Sequence, residues 1–527
     1  MLQVLELCLI FLQCLLYKVN ASNILIWNPT LGYSHVRFLG NIADVLTADG
    51  HNVTIFSSSM DSEITTFGNR LPARTIRFKS PGIDEVFRNL VLKGPSFWDT
   101  PQCDELCFGW SDNDLMNEQV LTYCKDLLED TELLNSLNES KFELVYTEAN
   151  DICAPGIFQI LGIKNMVLAV AHTMVPRMYE VTGMSTLPSF MPEIVTPFSD
   201  DMTFVERMAN FKISMQFMFH MRKWERIFWE HFNAKYPGFP AIREIYNEKT
   251  ALIMTNVHEF AESPRPTTNM IRYIGGSTLY EAKPLEKDLD DLLNEREATV
   301  LFSLGSVAKS KNMPEWLRND IIHTFNSFPN VTFIWKYEDD DLITSGSHPN
   351  IHLMRWIPQV DLLADKRLSL FITHGGMNSM LEAMHYGKPV IAIPLFGDQL
   401  HNSRNIPRLQ IGNILDRTRI SQKTLTEMIK MTLGNETILR NAGFVASQLA
   451  GRPQQYREDI ARWAKVILEY GRMDHLILHS RNMNSIQYYC LDVIAFVFTF
   501  TIIVLFSALW LLKQVFCYIR ASKEKFD

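Results

Sequence analysis

At 527 residues the chain is too long for one ordinary hydrophobic core, so two domains are the natural expectation. Its net charge of −9 and isoelectric point near 5.9 supply no basic field for nucleic acid, which sets a nucleic-acid-binding role aside.

The amino terminus, Leu2 to Leu16, is an apolar run interrupted by Glu6 and too short to span a bilayer. Val19-Asn20-Ala21 follows with the small-residue pattern of a cleavage site, so residues 1–21 are expected to be a signal peptide, although no basic residue precedes the run. Ile24 to Trp27 predicts a strand, Asn28 to His35 a loop, the pattern through Leu46 a helix, and Gly50 to Phe56 a second strand. That is a βαβ unit, the start of a doubly wound sheet, with His35 at the end of its first loop. Residues 60–135 are polar and irregular and yield no elements. Phe142 to Thr147 predicts a further strand that ends at Glu148, with Asp151 close behind.

Met202 to Tyr236 carries a helical pattern rich in Met, Phe and Trp. It suits an acceptor-pocket wall or a membrane-surface contact, but such stripes more often face a core. After Pro264-Arg265-Pro266 and Gly275-Gly276, the stretch Ser277 to Lys287 reads as a linker. Strands at Thr299 to Leu304, Val331 to Trp335 and Leu368 to Thr373, with helices at Pro314 to Phe325 and Asn378 to Tyr386, build a second doubly wound domain. The run Glu338 to Asp341 reads as a solvated acidic loop, and no His or Cys cluster has metal-ligand spacing.

Val493 to Leu512 is uncharged and mostly apolar, and at about 1.5 Å per residue it covers roughly the 30 Å of a hydrocarbon core. Lys513, Arg520, Lys523 and Lys525 follow it, whereas only Arg472 and Arg481 lie just before it. A cytosolic tail and a lumenal amino portion follow from the basic excess. Lys523 and Lys525, third and fifth from the terminus, resemble a dilysine retrieval signal, and they equally fit a stop-transfer flank. Cys103, Cys107, Cys124 and Cys153 would lie in an oxidising compartment with their pairing open; Cys490 stands at the membrane edge, Cys517 beyond it, and Cys8 and Cys14 leave with the signal. Of the sequons at Asn52, Asn138, Asn330 and Asn435, Asn52 opens an expectedly buried strand and is expected to stay unmodified.

The most informative stretch is Trp356 to Gln399. An apolar strand breaks at His374-Gly375-Gly376 and a helix begins near Asn378, which is a phosphate site in outline: glycines let the backbone approach, and the first helical turn offers N–H groups and a positive dipole end. A second strand, Val390 to Pro394, brings Asp398 and Gln399 to the same carboxyl edge, where ligands of open α/β sheets bind. Any one of these residues alone would be weak evidence. Together, Trp356-x-Pro-Gln359, His374-x-Gly376-x-Asn378-Ser379, Glu382 and Asp398-Gln399 resemble the signature of the UDP-glycosyltransferase family, in its animal UDP-glucuronosyltransferase branch.

The resemblance implies two Rossmann-like domains facing a cleft (GT-B type) and one C-terminal transmembrane helix. It divides the chain into signal (1–21), acceptor-binding domain (22–276), UDP-sugar-binding domain (277–450), helices returning to the first domain (451–490, with Arg457 to His479 helical), membrane helix (491–512) and cytosolic tail (513–527). Trp356 would stack on uracil, Gln359 and Glu382 hold the uridine, Ser306, His374, Gly376, Asn378 and Ser379 bind the diphosphate, and Asp398 and Gln399 hold the sugar. His35 would be the catalytic base, paired with Glu148 where many members have aspartate, or failing that with Asp151. The expected reaction is inverting transfer of a hexosyl group from a UDP-sugar to a hydroxyl or other nucleophile of a small lipophilic acceptor. Neither cofactor nor metal is needed, because oriented dipoles can meet the charge of departing UDP. Glucuronate is narrowly favoured as donor sugar over glucose, with Arg265 a candidate for its carboxylate. The family also implies a single-pass type I protein of the endoplasmic reticulum membrane, a detoxification role, and compatibility with a homo-oligomer. The rivals are a non-catalytic UDP-sugar-binding membrane protein and a dinucleotide oxidoreductase, which lacks its glycine fingerprint because Gly32 stands alone.

Overall fold

The computed structural model describes residues 21–83, 98, 110–339 and 348–523. The signal-peptide reading, Cys8, Cys14, Cys103, Cys107, Asp340, Asp341 and the terminal Lys525 lie outside the described residues. Two parallel sheets organise the chain. The first runs β3 (Arg74–Phe78), β2 (Asn52–Ser58), β1 (Asn23–Trp27), β4 (Leu144–Thr147), β5 (Asn165–Val170), β6 (Thr250–Thr255) and β7 (Ile271–Tyr273). The second runs β10 (Ile351–Met354), β9 (Val331–Lys336), β8 (Ala298–Ser303), β11 (Leu368–Thr373), β12 (Val390–Ala392) and β13 (Gly412–Ile414). Their strands are apolar runs because helices cover both faces.

Each sheet reverses its strand order once, between β1 and β4 in the first and between β8 and β11 in the second. Register fixes what meets there. Trp27 lies level with Thr147, and Ser303 level with Thr373, so the loops leaving each pair start at the same height. The crevices at these two switch points are where open α/β sheets bind ligands.

Residues 60–135 hold more structure than their polarity suggests: β3 and the helix Trp110–Glu129 fall within them, and the helix Thr131–Glu139 begins there. Tyr123, Cys124, Leu127 and Leu128 are buried in the first core, a stripe that the surrounding polar residues hide. Cys124 and Cys153 form a disulfide that joins the first of these helices to Cys153–Ile160. The Arg452–Tyr470 helix starts earlier than its periodicity suggests and stops at Gly471, whose φ of 70° breaks it. Its Tyr456, Ile460, Ala464 and Ile467 pack with Phe38, Leu39 and Ile42 in the core of the first sheet.

Two further expectations change. Asn52 is exposed, because it precedes the buried part of β2, and its amide donates to Asn23 Oδ1 at 3.2 Å. The Phe204–Lys235 helix buries Ile213, Trp224, Phe228 and Phe232 but leaves Phe204, Met208, Phe211 and Phe219 exposed, so only one of its faces serves the core. At the carboxyl end the helix Leu491–Lys523 contains a 30-residue stretch, Leu491–Arg520, long and apolar enough to cross a membrane.

The disulfide closes a loop with a sequence separation of 29, which should stabilise the first domain by about 3–4 kcal/mol through the unfolded chain. The double variant Cys124→Ser/Cys153→Ser should therefore melt several degrees lower in a thermal scan, and an unchanged melting temperature would contradict the pairing.

Candidate active site

The Tyr33–Ala48 helix starts at the first switch point, and its first two turns supply three side chains to the cleft. His35 turns its Nδ1 to Glu148, 2.8 and 2.7 Å from the two carboxylate oxygens. The level ends of β1 and β4 make this contact possible, and the extra methylene of glutamate bridges the gap. Glu148 is buried and also accepts the Ala171 backbone N–H at 3.1 Å, while the His35 side chain stays 26% exposed, its second nitrogen free to face the cleft. Burial works to lower the His35 pKa, but the charge and hydrogen bond of Glu148, helped by Asp398, outweigh it and raise the value above 6.5. Conversely, burial pushes Glu148 up and the facing His35, with His172, brings it below its ordinary range.

Asp151 is occupied elsewhere. Its carboxylate accepts Trp27 Nε1–H at 2.7 Å, the Tyr123 hydroxyl, and the backbone N–H groups of Cys153 and Ala154 at 3.0 and 3.2 Å. It anchors a helix start rather than the imidazole.

In the second domain the Met377–His385 helix begins directly after Gly376, so its unpaired N–H groups point into the second crevice. His374 lies between two glycines: a Cβ on Gly305 would stand 2.6 Å from its ring, and one on Gly376 also 2.6 Å. Burial, aided by Lys336 and opposed by Asp398, lowers the His374 pKa to about 4, so it is a neutral imidazole at pH 7. Ser306 is exposed beside this turn. Gln359 donates its amide to Glu382 Oε2 at 2.6 Å and to Ser379 Oγ at 3.1 Å. Burial raises the Glu382 pKa against the pull of Arg37 and Gln359. Trp356 presents a ring that is 65% exposed, edge-on to Tyr33 with centroids 6.0 Å apart. Asp398 accepts the Asn402 amide at 2.7 Å, and Gln399 spends its carbonyl oxygen on the Leu395 and Phe396 N–H groups at 2.9 and 3.2 Å, leaving its NH2 for a ligand.

The two crevices face one another. Tyr33 reaches Trp356, Arg37 lies 3.8 Å from Glu382, and the Asn256 amide donates to Asn378 Oδ1 at 2.6 Å. The twelve positions that the resemblance assigns to catalysis and UDP-sugar binding lie around these two facing crevices, whereas Asp151, also singled out in the sequence, does not. Several contributors carried no motif. His172 stands 5.9 Å from the His35 ring, its Nδ1–H donating to the Thr173 carbonyl at 2.7 Å and its Nε2 accepting the Asn150 amide at 3.1 Å. Glu262 accepts from Arg265 at 2.8 Å, sits 2.7 Å from His401 Nε2, and also accepts the Thr173 hydroxyl. Against burial, Arg265 and His401 hold Glu262 down to about 2, so it is ionised throughout. Arg265, the candidate partner for a sugar carboxylate, is thus buried in a local ion pair with Glu262, which His401 of the second domain also meets. Only their positions just past strand ends, at β5, β6 and after β12, could have flagged these residues.

The fold is shared with solved glycosyltransferases. The kitacinnamycin glycosyltransferase superposes with a TM-score of 0.58 at 16% identity, covering 86% of this chain and 100% of its own. The calicheamicin glycosyltransferase CalG4 gives 0.54 at 14%, with 86% and 99% covered. In sequence, UDP-glucuronosyltransferase 2B15 of Homo sapiens is 27% identical, covering 98% of this chain and 97% of its own length. UDP-glucuronosyltransferase 3A1 of Xenopus laevis is 28% identical with 94% of each covered. Residues 22–525 match the family described as UDP-glucoronosyl and UDP-glucosyl transferase. The chain belongs to that family: it is an enzyme of the GT-B fold that transfers a sugar from a UDP-sugar to an acceptor.

Proposed function

We propose that the transfer is a single inverting displacement in which His35 is the base. The neutral imidazole takes the proton of an acceptor hydroxyl as that oxygen attacks the anomeric carbon, and the bond to UDP breaks from the opposite face. Glu148 holds the reactive tautomer and stabilises the imidazolium, as the acid does in hydrolase triads. UDP leaves toward the start of the Met377–His385 helix, where Gly376, Asn378, Ser379, His374 and Ser306 meet the growing charge without a metal ion. Trp356 stacks on uracil, Gln359 and Glu382 take the uridine, and Asp398 and Gln399 take the sugar. The observation that carries this reading is the contact of both Glu148 oxygens with His35 Nδ1, which a protein that only binds UDP-sugar has no use for.

The acceptor is a small lipophilic molecule, and the named relatives favour glucuronate as the sugar. A second reading, glucose as the sugar, is favoured by the engagement of Arg265 with Glu262. We place the enzyme in the endoplasmic reticulum membrane with both domains lumenal. The Cys124–Cys153 disulfide and the basic residues Lys513 and Arg520, which follow the uncharged run Val493 to Leu512, support that orientation.

His35→Ala should lower transfer by roughly 10²–10⁴-fold while calorimetric binding of UDP is retained; an active His35→Ala enzyme removes the base assignment. Because His35 must be neutral to act and its pKa is raised, kcat/KM should rise with pH along a limb above 6.5. Glu148→Gln leaves only the more distant charge of Asp398 to oppose burial, so the limb should move to lower pH and the plateau should fall. Trp356→Ala should weaken UDP binding by about 1–3 kcal/mol, roughly 5- to 150-fold, with little change in kcat. Product analysis with UDP-glucuronate and UDP-glucose on a planar phenol decides between the two donors.

A further inference from the structure

The nucleotide half of the cleft has a contributor from the other domain that belongs to no motif. Arg37 lies four residues after Tyr33, one turn along the Tyr33–Ala48 helix, so the two side chains share a face about 6 Å apart. Tyr33 meets the Trp356 ring edge-on with centroids 6.0 Å apart, and Arg37 Nη1 stands 3.8 Å from Glu382 Oε1. Neighbouring side chains of one helix therefore address the uracil platform and the ribose carboxylate together.

The Arg37 guanidinium is held in this place by the segment that joins the domains. It lies 5.4 Å from the centroid of the Tyr280 ring, which also receives the Arg70 guanidinium at 4.2 Å. The Tyr280 carbonyl in turn accepts the Tyr386 hydroxyl at 3.5 Å, and Tyr386 directly follows the Met377–His385 helix that carries Glu382. The Arg37 side chain is 26% exposed and that of Glu382 only 5%, so the guanidinium keeps donors for the cleft while the carboxylate is nearly dry. Glu382 Oε2 is taken by the Gln359 amide at 2.6 Å, and Oε1 is the oxygen that faces Arg37. Their separation is too long for a direct hydrogen bond, and it is a span that one oxygen bridges when it sits about 2.8 Å from each group. A hydroxyl has the chemistry for that position, because its oxygen accepts from the guanidinium while its hydrogen goes to the carboxylate.

We propose that Arg37 is a ribose-binding residue of the amino domain: its guanidinium donates to one ribose hydroxyl of the UDP-sugar, and that hydroxyl donates to Glu382 Oε1. The inference rests on the reading that Glu382 takes the uridine. It makes the nucleotide a ligand of both domains, and it ties recognition of the ribose to the helix start that carries His35, two residues away.

The test is a thermodynamic cycle on the full chain in detergent, read by calorimetry with UDP, 2′-deoxy-UDP and 3′-deoxy-UDP. The wild-type protein should bind UDP at least about tenfold more tightly than one of the two deoxy nucleotides. Arg37→Met should bind UDP about tenfold more weakly, while its affinity for that deoxy nucleotide changes by less than about twofold, because the partner of the guanidinium is already gone. Arg37→Gln gives a second cycle with the same criterion, and it decides the matter where Arg37→Met does not fold. Equal losses for all three nucleotides, or UDP binding unchanged in the variants, would overturn the proposal and leave the ribose role of Glu382 in place. Wild-type protein that binds UDP and both deoxy nucleotides alike would remove that role, and the proposal with it.

Discussion

The contact between His35 and Glu148 is the constraint on which the cleft depends. A carboxylate buried as deeply as Glu148 is costly unless its lone pairs are met, and here one ring nitrogen and one backbone N–H meet them. The carboxylate and its two partners come from three neighbouring elements: Glu148 from the end of β4, His35 from the helix after β1 and Ala171 from the end of β5. Satisfying the carboxylate therefore fixes the height of the Tyr33–Ala48 helix above the sheet. Tyr33 and Arg37 on the same helix start are then carried to Trp356 and Glu382 of the other domain. One buried hydrogen-bonded pair thus positions both a reactive imidazole and the amino-domain rim against the nucleotide half.

Polar contacts join the two domains beside apolar packing of Val257 and Ala261 in the second core. Glu262, Arg265, His401, Thr173 and Tyr179 form one buried cluster, with Arg265 donating to the Tyr179 hydroxyl at 3.1 Å. Such a cluster contributes less to net stability than to register, because a slip of either partner strands a charge in a dry site. His401 belongs to the short helix that begins with Gln399, and Glu262 to the loop after β6, so the cluster sets where Asp398 and Gln399 sit relative to the amino domain. The Arg452–Tyr470 helix adds an apolar strap from the opposite side.

Much of this was legible in the sequence, for identifiable reasons. Parallel strands buried on both faces write themselves as unbroken apolar runs, and a glycine turn between strand and helix marks a phosphate site, so the strands at both switch points and the Trp356–Gln399 cleft wall could be read directly, while β3, β5, β6, β7, β10 and β13 are not among the predicted strands. What escaped reading depends on long-range pairing. Glu262 and His401 lie far apart in the chain and belong to no local pattern. The helices at Trp110–Glu129 and Thr131–Glu139 are amphipathic on largely polar surroundings, so their buried Tyr123 and Leu127 were masked by neighbours. Arg265 was read for its charge, but its partner decides its role. Asn52 shares the pattern of its buried strand, yet as the first residue of β2 it stands clear of the sheet.

The glycines of the second crevice show why a motif can be more restrictive than its ligand demands. Gly305 and Gly376 come from different sides of the β8/β11 switch, yet a Cβ on either would strike the His374 ring. The imidazole is therefore accommodated only because both neighbours lack side chains, and it sits where the helix N–H groups converge. Gly305 further holds a φ of 81°, and its carbonyl accepts the Lys336 ammonium at 2.8 Å, which brings a cation to the same turn. A side chain at either glycine would displace the imidazole before it met any phosphate. The spacing of the histidine and glycine positions is thus set first by packing inside the protein, and the anion site is the space that packing leaves.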